Sequence, residues 1–353
     1  MNEPELDLDV LARRLWQVTG QDPQAGPLVI EPWLLASWKD GKSITALLTK
    51  AHEQAQPPTK SVLKHGVDFY YDAVARHAAA SRDRPALRYF DPSRGWQSLS
   101  YGELHSQSNR LVARWLTRGV APGCKLVLLG EVGPQWLLSL FSALRLGATV
   151  CLLPSIGIDF ALHRLPALSP DHIVCEPVML ALLRSRLDKA LAAKLLCEEP
   201  LPGTHHSGSH TYPPDSPALL LFTPVRNPLD KPTPVPARLA LVGALRDGLL
   251  LSLRPGDHIA YPLADFLQHQ PMLILTALLA GATWVHIPQE ELLRNPRLLG
   301  NVPLRVLGVI DAVRDLLLKT PSGLLSELKL WFRNPEEPQQ VAAWDRLLKL
   351  TPF

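Results

Sequence analysis

The chain predicts an α/β protein built from two duplicated β/α subdomains with mostly parallel sheets, preceded by a helical N-terminal extension. Three observations carry that prediction. Ala143-Leu144, Gly147-Ala148-Thr149 and Pro154 return 134 residues later as Ala277-Leu278, Gly281-Ala282-Thr283 and Pro288. Upstream, Pro122-Gly123 before the apolar run Lys125-Leu126-Val127-Leu128 is matched by Pro255-Gly256 before His258-Ile259-Ala260-Tyr261. Downstream, His172-Ile173-Val174-Cys175 and Arg305-Val306-Leu307-Gly308 each precede an apolar helical pattern. Each unit reads strand, helix, strand, linker, strand, helix, which is the order that builds parallel sheets.

Residues 1–60 read as helical. Asp9 can cap a helix carrying Val10, Leu11, Leu15 and Trp16. Pro32 suits the first position of a second, with Trp33, Leu34, Leu35 and Trp38, and a third runs from Ser43 through Leu47, Leu48 and Ala51. Gln54 to Thr59 is a polar, proline-containing linker.

The first subsidiary unit is expected over 61–217, with the folded domain beginning near Gly66. Phe69, Tyr70, Val74 and Ala78 mark one face of a helix that ends around Ser81. Ala86 to Phe90 reads as a strand, Asp91-Pro92-Ser93-Arg94-Gly95 as a turn, and Trp96 to Leu99 as the return strand. Ser100-Tyr101-Gly102-Glu103 is a capping box: the Ser hydroxyl accepts from the third amide and the Glu reaches back to the cap amide. The helix it opens turns Leu104, Leu111, Val112 and Trp115 inward. A loop rich in Pro, Gly, Ser and His covers 198–217. The second subdomain is expected over 218–353. It holds the second repeat, a strand at Leu328 to Phe332 and a helix over Val341 to Leu350.

Composition narrows the function classes. With 353 residues, 46% apolar and 20% charged, the chain is an ordinary globular sequence. Its net charge of +3, without a basic run interleaved with aromatics, argues against a nucleic-acid partner. Cys124, Cys151, Cys175 and Cys197 lie in or beside apolar strands without metal spacing, and read as buried thiols of a reducing compartment. The acidic start Met1-Asn2-Glu3-Pro4-Glu5 lacks the pattern of a signal peptide, so a cytoplasmic location is expected. Phe266 to Gln289 contains no Asp, Glu, Lys or Arg and is long enough to span a bilayer. The polar head Gln268-His269-Gln270-Pro271, the internal Gly281 and the twin helix's Arg145 argue instead for a buried helix followed by a buried strand, with no membrane span. His205, His206 and His210 lack a fourth ligand and read as a solvated loop. Asp311, Arg314 and Asp315 read as an exposed helix face.

Leu99-Ser100-Tyr101-Gly102-Glu103-Leu104 resembles the first core motif of the adenylate-forming enzymes, which include acyl- and aryl-CoA synthetases. Leu144 to Pro154 resembles their second motif, and Asp83-Arg84-Pro85-Ala86-Leu87 before the first hairpin is also similar. The resemblance covers about residues 66–350. It implies two related subdomains whose sheets stack on each other, and a reaction that adenylates a carboxylate with ATP and magnesium before handing the acyl group to a thiol.

The resemblance also locates a phosphate loop, and there the chain departs from the family. Asp215 to Phe222 matches the approach strand, and the loop aligns as Thr223-Pro224-Val225-Arg226-Asn227-Pro228-Leu229-Asp230-Lys231. Only Thr223 and Lys231 match. A phosphate cradle needs several backbone N–H groups aimed at one anion and glycines that let the chain wrap it. Val225 and Pro228 stand where the glycines belong, and Pro224 and Pro228 each remove a donor. Arg226 and Asn227 replace the hydroxyl pair. The candidate nucleotide-binding residues are therefore Thr223, Arg226, Asn227 and Lys231. In the acyl-pocket motif, Pro262-Leu263-Ala264-Asp265 lacks the aromatic and the His, leaving Asp265 and His269 as candidates. Phe332 leads into Arg333-Asn334-Pro335 where a glycine-rich adenine turn is expected. The chain ends at Phe353, before the segments the resemblance would place next, so a truncated second subdomain without a small C-terminal domain is expected.

These departures predict a degenerate relative acting as a binding or scaffold module, with no confident catalytic residue, no metal site and no cofactor. A protein partner or a second copy is expected to cover the truncated edge. The alternatives are one subunit of a split ligase using ATP and magnesium, and an acyl-chain or carrier-protein binder without chemistry.

Overall fold

The computed structural model describes residues 66–153, 157–196, 206–222, 232–251, 253–262, 269–320 and 324–332. The expected N-terminal helices and the helix over Val341 to Leu350 lie outside the described residues.

A π-helical turn, Tyr71–Ala75, runs into α1 (Arg76–Ala80), which stops at Ser81. The hairpin β1 (Pro85–Asp91) and β2 (Gly95–Ser100) follows. Ser100 then caps α2 (Tyr101–Thr117) in a complete box: its Oγ accepts from the Glu103 amide at 3.1 Å, and the Glu103 carboxylate accepts from the Ser100 amide at 2.7 Å. Leu104, Leu111, Val112 and Trp115 are all fully buried, as their spacing predicts. The first repeat gives β3 (Lys125–Leu129), α3 (Pro134–Leu146), β4 (Thr149–Leu153), α4 (Ile158–Leu168), β5 (His172–Cys175), α5 (Pro177–Arg186) and α6 (Lys189–Ala192). A second hairpin, β6 (Pro217–Leu221) and β7 (Thr233–Pro236), leads into α7 (Ala237–Leu250). The second repeat supplies β8 (His258–Ala260), α8 (His269–Leu279), β9 (Thr283–His286), α9 (Gln289–Arg294), β10 (Leu304–Gly308) and α10 (Asp311–Leu318). The described chain closes on β11 (Leu330–Phe332).

These strands form a sheet in the order β5-β3-β4-β6-β7 and another in the order β11-β10-β8-β9-β1-β2. Among these strands the two hairpins pair antiparallel and the other pairings are parallel. The sheets enclose one shared core. Leu126 and Leu128 of β3 and Trp284 of β9 join α2, α3, α7 and α8 in it. The alternate residues Val127 and Leu129 face α4, α5 and α6 on one outer side. Val285 and Leu307 face α9 and α10 on the other. Strands buried on both faces need continuous apolar runs, which is what Leu126 to Leu129 and Val150 to Leu153 supply.

The duplication is larger than the repeat first visible in the sequence. The partners Leu219↔Val150 and Leu220↔Cys151 correspond to Leu87↔Trp284 and Arg88↔Val285. Both hairpins even carry the same register shift, between Pro85 and Leu87 and between Pro217 and Leu219. Each full unit is thus hairpin, helix and β/α repeat, but the hairpins are exchanged. The hairpin that precedes the first repeat pairs with the second repeat, and the one between the repeats pairs with the first. The sheets therefore interleave along the chain across the expected 217/218 division. A sequence signal existed for this: Asp83-Arg84-Pro85-Ala86-Leu87 recurs as Asp215-Ser216-Pro217-Ala218-Leu219.

Each exchange is locked at the Gly-Ala-Thr turn. Gly147 and Gly281 take left-handed backbone, with φ of 80° and 70°. A histidine lies flush on each: a Cβ on Gly147 would sit 2.5 Å from the His210 ring, and one on Gly281 2.6 Å from the His77 ring. The alanine carbonyls that follow accept from buried tyrosines, Tyr212 Oη to Ala148 and Tyr101 Oη to Ala282, both at 2.7 Å. Thr149 Oγ1 donates to the Pro217 carbonyl at 2.9 Å, and Thr283 Oγ1 to the Pro85 carbonyl at 2.7 Å. Each threonine so ties its strand to the first residue of the exchanged hairpin.

Two other readings from sequence meet the structure here. The apolar stretch around Phe266 to Gln289 splits, in its described part, into α8 and β9, and no helix among the described residues is long and apolar enough to cross a membrane. Arg314 corrects an expectation: it is buried and donates to Asp311 at 3.0 Å and Asp315 at 2.9 Å, so only the two carboxylates of that helix face reach solvent. Its long apolar stem can pack against the core while the guanidinium reaches the rim. Cys124, Cys151 and Cys175 are free thiols, and burial pushes Cys151 up to about 12.

Three titratable groups with large shifts contribute to the acid response. Burial, helped by the Arg76 charge, lowers His77 to about 3, and burial lowers His286 to about 4. Burial raises Asp72 to about 7, against the pull of Arg76. Below pH about 6.5 the unfolded histidines take up protons that the folded ones refuse, so stability falls as pH drops toward 4. Asp72 acts oppositely: its contribution is full below pH about 3.8 and is lost as pH rises toward 7. Chemical denaturation at pH 7 and pH 5 is expected to show a steeper acid loss in Asp72→Asn and a shallower one in His77→Gln. Unchanged pH slopes in both variants would contradict this assignment.

Candidate functional site

Ligands of open parallel sheets bind beyond the carboxyl ends of the strands, so the site is sought at the ends of β6, β8, β10 and β11. The register Leu221↔Thr233 makes the intervening segment the connection of an antiparallel pair. That segment contains Thr223, Arg226, Asn227 and Lys231, all outside the described residues, as is Asp265. His269 is the first residue of α8. The structure therefore describes the frame around the predicted loop residues and not those residues themselves.

The frame itself is apolar. Phe222, the last described residue before the loop, is buried, with the Arg164 guanidinium 4.4 Å from its ring centre. At the end of β8, Tyr261 is buried against Phe332 at the end of β11, with ring centres 5.1 Å apart. Gly308 ends β10 between them. A Cβ there would lie 2.0 Å from Tyr261 and 2.7 Å from Phe332, so the two rings occupy the space a side chain would take. Reading the sequence did not single out this trio. The signal was present as two aromatic residues at strand ends and a glycine on the strand between them.

The loop that the resemblance implies for ATP and magnesium lies outside the described residues. An aromatic plug offers no N–H cradle. Among the described residues no three His, Cys, Asp or Glu side chains stand close enough to hold a metal ion. No step of chemistry is derived through either group.

Comparison with known proteins agrees with the fold. Residues 74–224 match the family model of the AMP-binding enzymes. The fatty acyl-adenylate ligase of L. pneumophila, solved with acyl adenylate and pyrophosphate, superposes with a TM-score of 0.68 at 16% identity, over 81% of this chain and 53% of that one. The fatty acid AMP ligase from Legionella pneumophila superposes with a TM-score of 0.71 at 14% identity, over 84% and 55%. CmiS6 gives a TM-score of 0.64 at 19% identity, over 84% and 72%. The chain thus spans about half the length of the two Legionella ligases. No curated protein matches its sequence.

Proposed function

We propose that this chain, whose residues 74–224 match the family model of the AMP-binding enzymes, keeps the scaffold of the adenylate-forming enzymes for binding and does not adenylate a carboxylate. One observation carries the proposal: between β6 and β7, Val225 and Pro228 stand where the phosphate loop needs glycine, and Pro224 and Pro228 remove two backbone donors. Adenylation depends on positioning ATP and neutralising its charge, and a loop stripped of its glycines and of two backbone donors is poorly built to do either. The Tyr261–Phe332 plug supports the same reading, because it fills the strand ends with apolar rings. The protein is then a binding or scaffold module for an acyl-type ligand or a protein partner.

Calorimetry with ATP and magnesium tests this directly. The expected result is no saturable heat for the chain alone and none in the presence of proteins that co-purify with it. Micromolar binding that disappears in Lys231→Ala would overturn the proposal and favour a nucleotide-using ligase subunit.

A further inference from the structure

Among the described residues each sheet has two edges, and three of these four carry a device that hinders a further strand from adding. β5 is covered by the segment after α6: the Lys194 carbonyl accepts from the Ile173 amide at 2.9 Å, and the Ile173 carbonyl accepts from the Leu196 amide at 2.8 Å. β7 carries Pro234 and Pro236, which have no amide proton to offer. β11 is three residues long. β2 is different. It runs for six residues, Gly-Trp-Gln-Ser-Leu-Ser, without a charge or a proline, and no described strand pairs with its outer side.

The register of the β1–β2 hairpin shows which of its groups are left over. The closing pair Asp91↔Gly95 exchanges hydrogen bonds, since the other arrangement would need a bond from Arg94 to Pro92 inside the turn itself. Hydrogen-bonded and non-hydrogen-bonded pairs alternate along an antiparallel ladder. Tyr89↔Gln97 and Leu87↔Leu99 therefore bond across the hairpin, and the main-chain groups of Trp96 and Ser98 point away from it. The Trp96 carbonyl is served by Gln97 Nε2 at 3.0 Å, and beyond Ser98 the Ser100 amide is served by Glu103 at 2.7 Å. Ser98 is exposed, and neither its N–H nor its C=O has a partner among the described residues. The pairs Arg88↔Ser98 and Phe90↔Trp96 set these four side chains on one face of the sheet. There the half-buried Trp96 meets the Phe90 ring edge-on, with ring centres 5.7 Å apart, and the Arg88 guanidinium lies 5.6 Å from the centre of the Trp96 ring. Tryptophan and arginine are the residue types that anchor protein interfaces.

We propose that β2 pairs with β2 of a second copy of this chain, antiparallel about a two-fold axis at Ser98, so that two six-stranded sheets join into one. Each Ser98 N–H then donates to the Ser98 carbonyl of the other copy, which is the hydrogen-bonded arrangement of an antiparallel pair. The Arg88, Phe90 and Trp96 side chains of the two copies come to lie on the same face of the joined sheet, on either side of the axis. A second copy suits this edge better than a foreign strand because the need is self-complementary. One residue offers one donor and one acceptor, and no charged side chain on the strand repels its own image. β2 lies at the opposite end of its sheet from β11, so this interface is separate from any partner that meets the β11 end. It also stands or falls separately from the loss of adenylation.

Sedimentation equilibrium of the full chain over a range of concentrations is expected to show a monomer–dimer equilibrium. Ser98→Lys changes an exposed side chain and sets two like charges opposite each other at the axis. Its dimer dissociation constant is expected to rise about tenfold or more, with thermal melts checking that the fold is kept. Ser98→Cys reads the register. Hydrogen-bonded antiparallel partners have Cα atoms about 5.5 Å apart, within the reach of a disulfide. Mild oxidation should therefore cross-link Ser98→Cys into a covalent dimer and leave Ser93→Cys, in the exposed turn far from the axis, uncrosslinked. A monomer at every concentration, a dimer unmoved by Ser98→Lys, or cross-linking of Ser98→Cys no faster than that of Ser93→Cys would each overturn the proposal.

Discussion

Replacing Gly281 by alanine is expected to destabilise the protein by about 3 kcal/mol. A side chain in left-handed helical backbone costs roughly 1–2 kcal/mol, and overpacking a closed site adds about 1–3 kcal/mol. At Gly281 both apply: φ is 70°, and the new Cβ would sit 2.6 Å from His77, a buried ring hydrogen-bonded at 3.2 Å to the Leu279 carbonyl. Gly123 separates the two effects. Its φ is 81°, but nothing lies within 4 Å of its Cβ position, so Gly123→Ala should show the backbone part alone. Denaturant unfolding of both variants gives the comparison. Equal losses at the two sites would show that His77 yields freely and that the packing on Gly281 does not hold the exchanged hairpin.

Arg145→Met is expected to cost about 3–4 kcal/mol, the range for removing one member of a buried, charge-assisted network. Arg145 is almost wholly buried in α3. Its guanidinium donates to Asn109 Oδ1 at 2.6 Å, to the Gly208 carbonyl at 2.7 Å, to Tyr70 Oη at 3.1 Å and to the His206 carbonyl. It also lies 4.3 Å from the centre of the Tyr70 ring. Methionine fills the volume but leaves those acceptors without their donor. Lysine restores the charge and not the planar fork, so Arg145→Lys should recover only part of the loss. Because two of the acceptors are carbonyls of the segment leading to Tyr212, limited proteolysis should cut near 206–210 faster in Arg145→Met. Unchanged stability and unchanged cleavage together would refute this role.

The same arginine shows how far the sequence could be read. Its place in the middle of an apolar helix was one of the grounds for arguing against a membrane span in the twin segment, because a charge in that position needs partners. Which partners was not legible: they come from α2, from Tyr70 and from a linker some 60 residues downstream. The Ser100–Glu103 cap was fully legible because all its atoms lie within four residues. Arg314 was misjudged because a helix face flanked by two aspartates has the pattern of a solvated surface, and burial depends on what packs above it. At the candidate site, the loss of glycine in the phosphate loop could be read from residue types alone. The Tyr261–Gly308–Phe332 plug could not, since it joins three strands.

By itself the amino-acid sequence determined the twin β/α units, their left-handed glycine turns and the apolar strands between them. These depend on local backbone preference and short-range periodicity. Only the tertiary structure decided that each hairpin leaves its own unit for the other sheet. The β1 run Pro85–Asp91 is equally apt to pair with either repeat. The choice is made by distant groups acting together: His77 seated on Gly281, Tyr101 bonded to Ala282 and Thr283 bonded to Pro85. Strand pairing across nearly 200 residues is a property of the closed core, where the buried Tyr101 and Thr283 hydroxyls find their partners, and no local stretch of sequence encodes it.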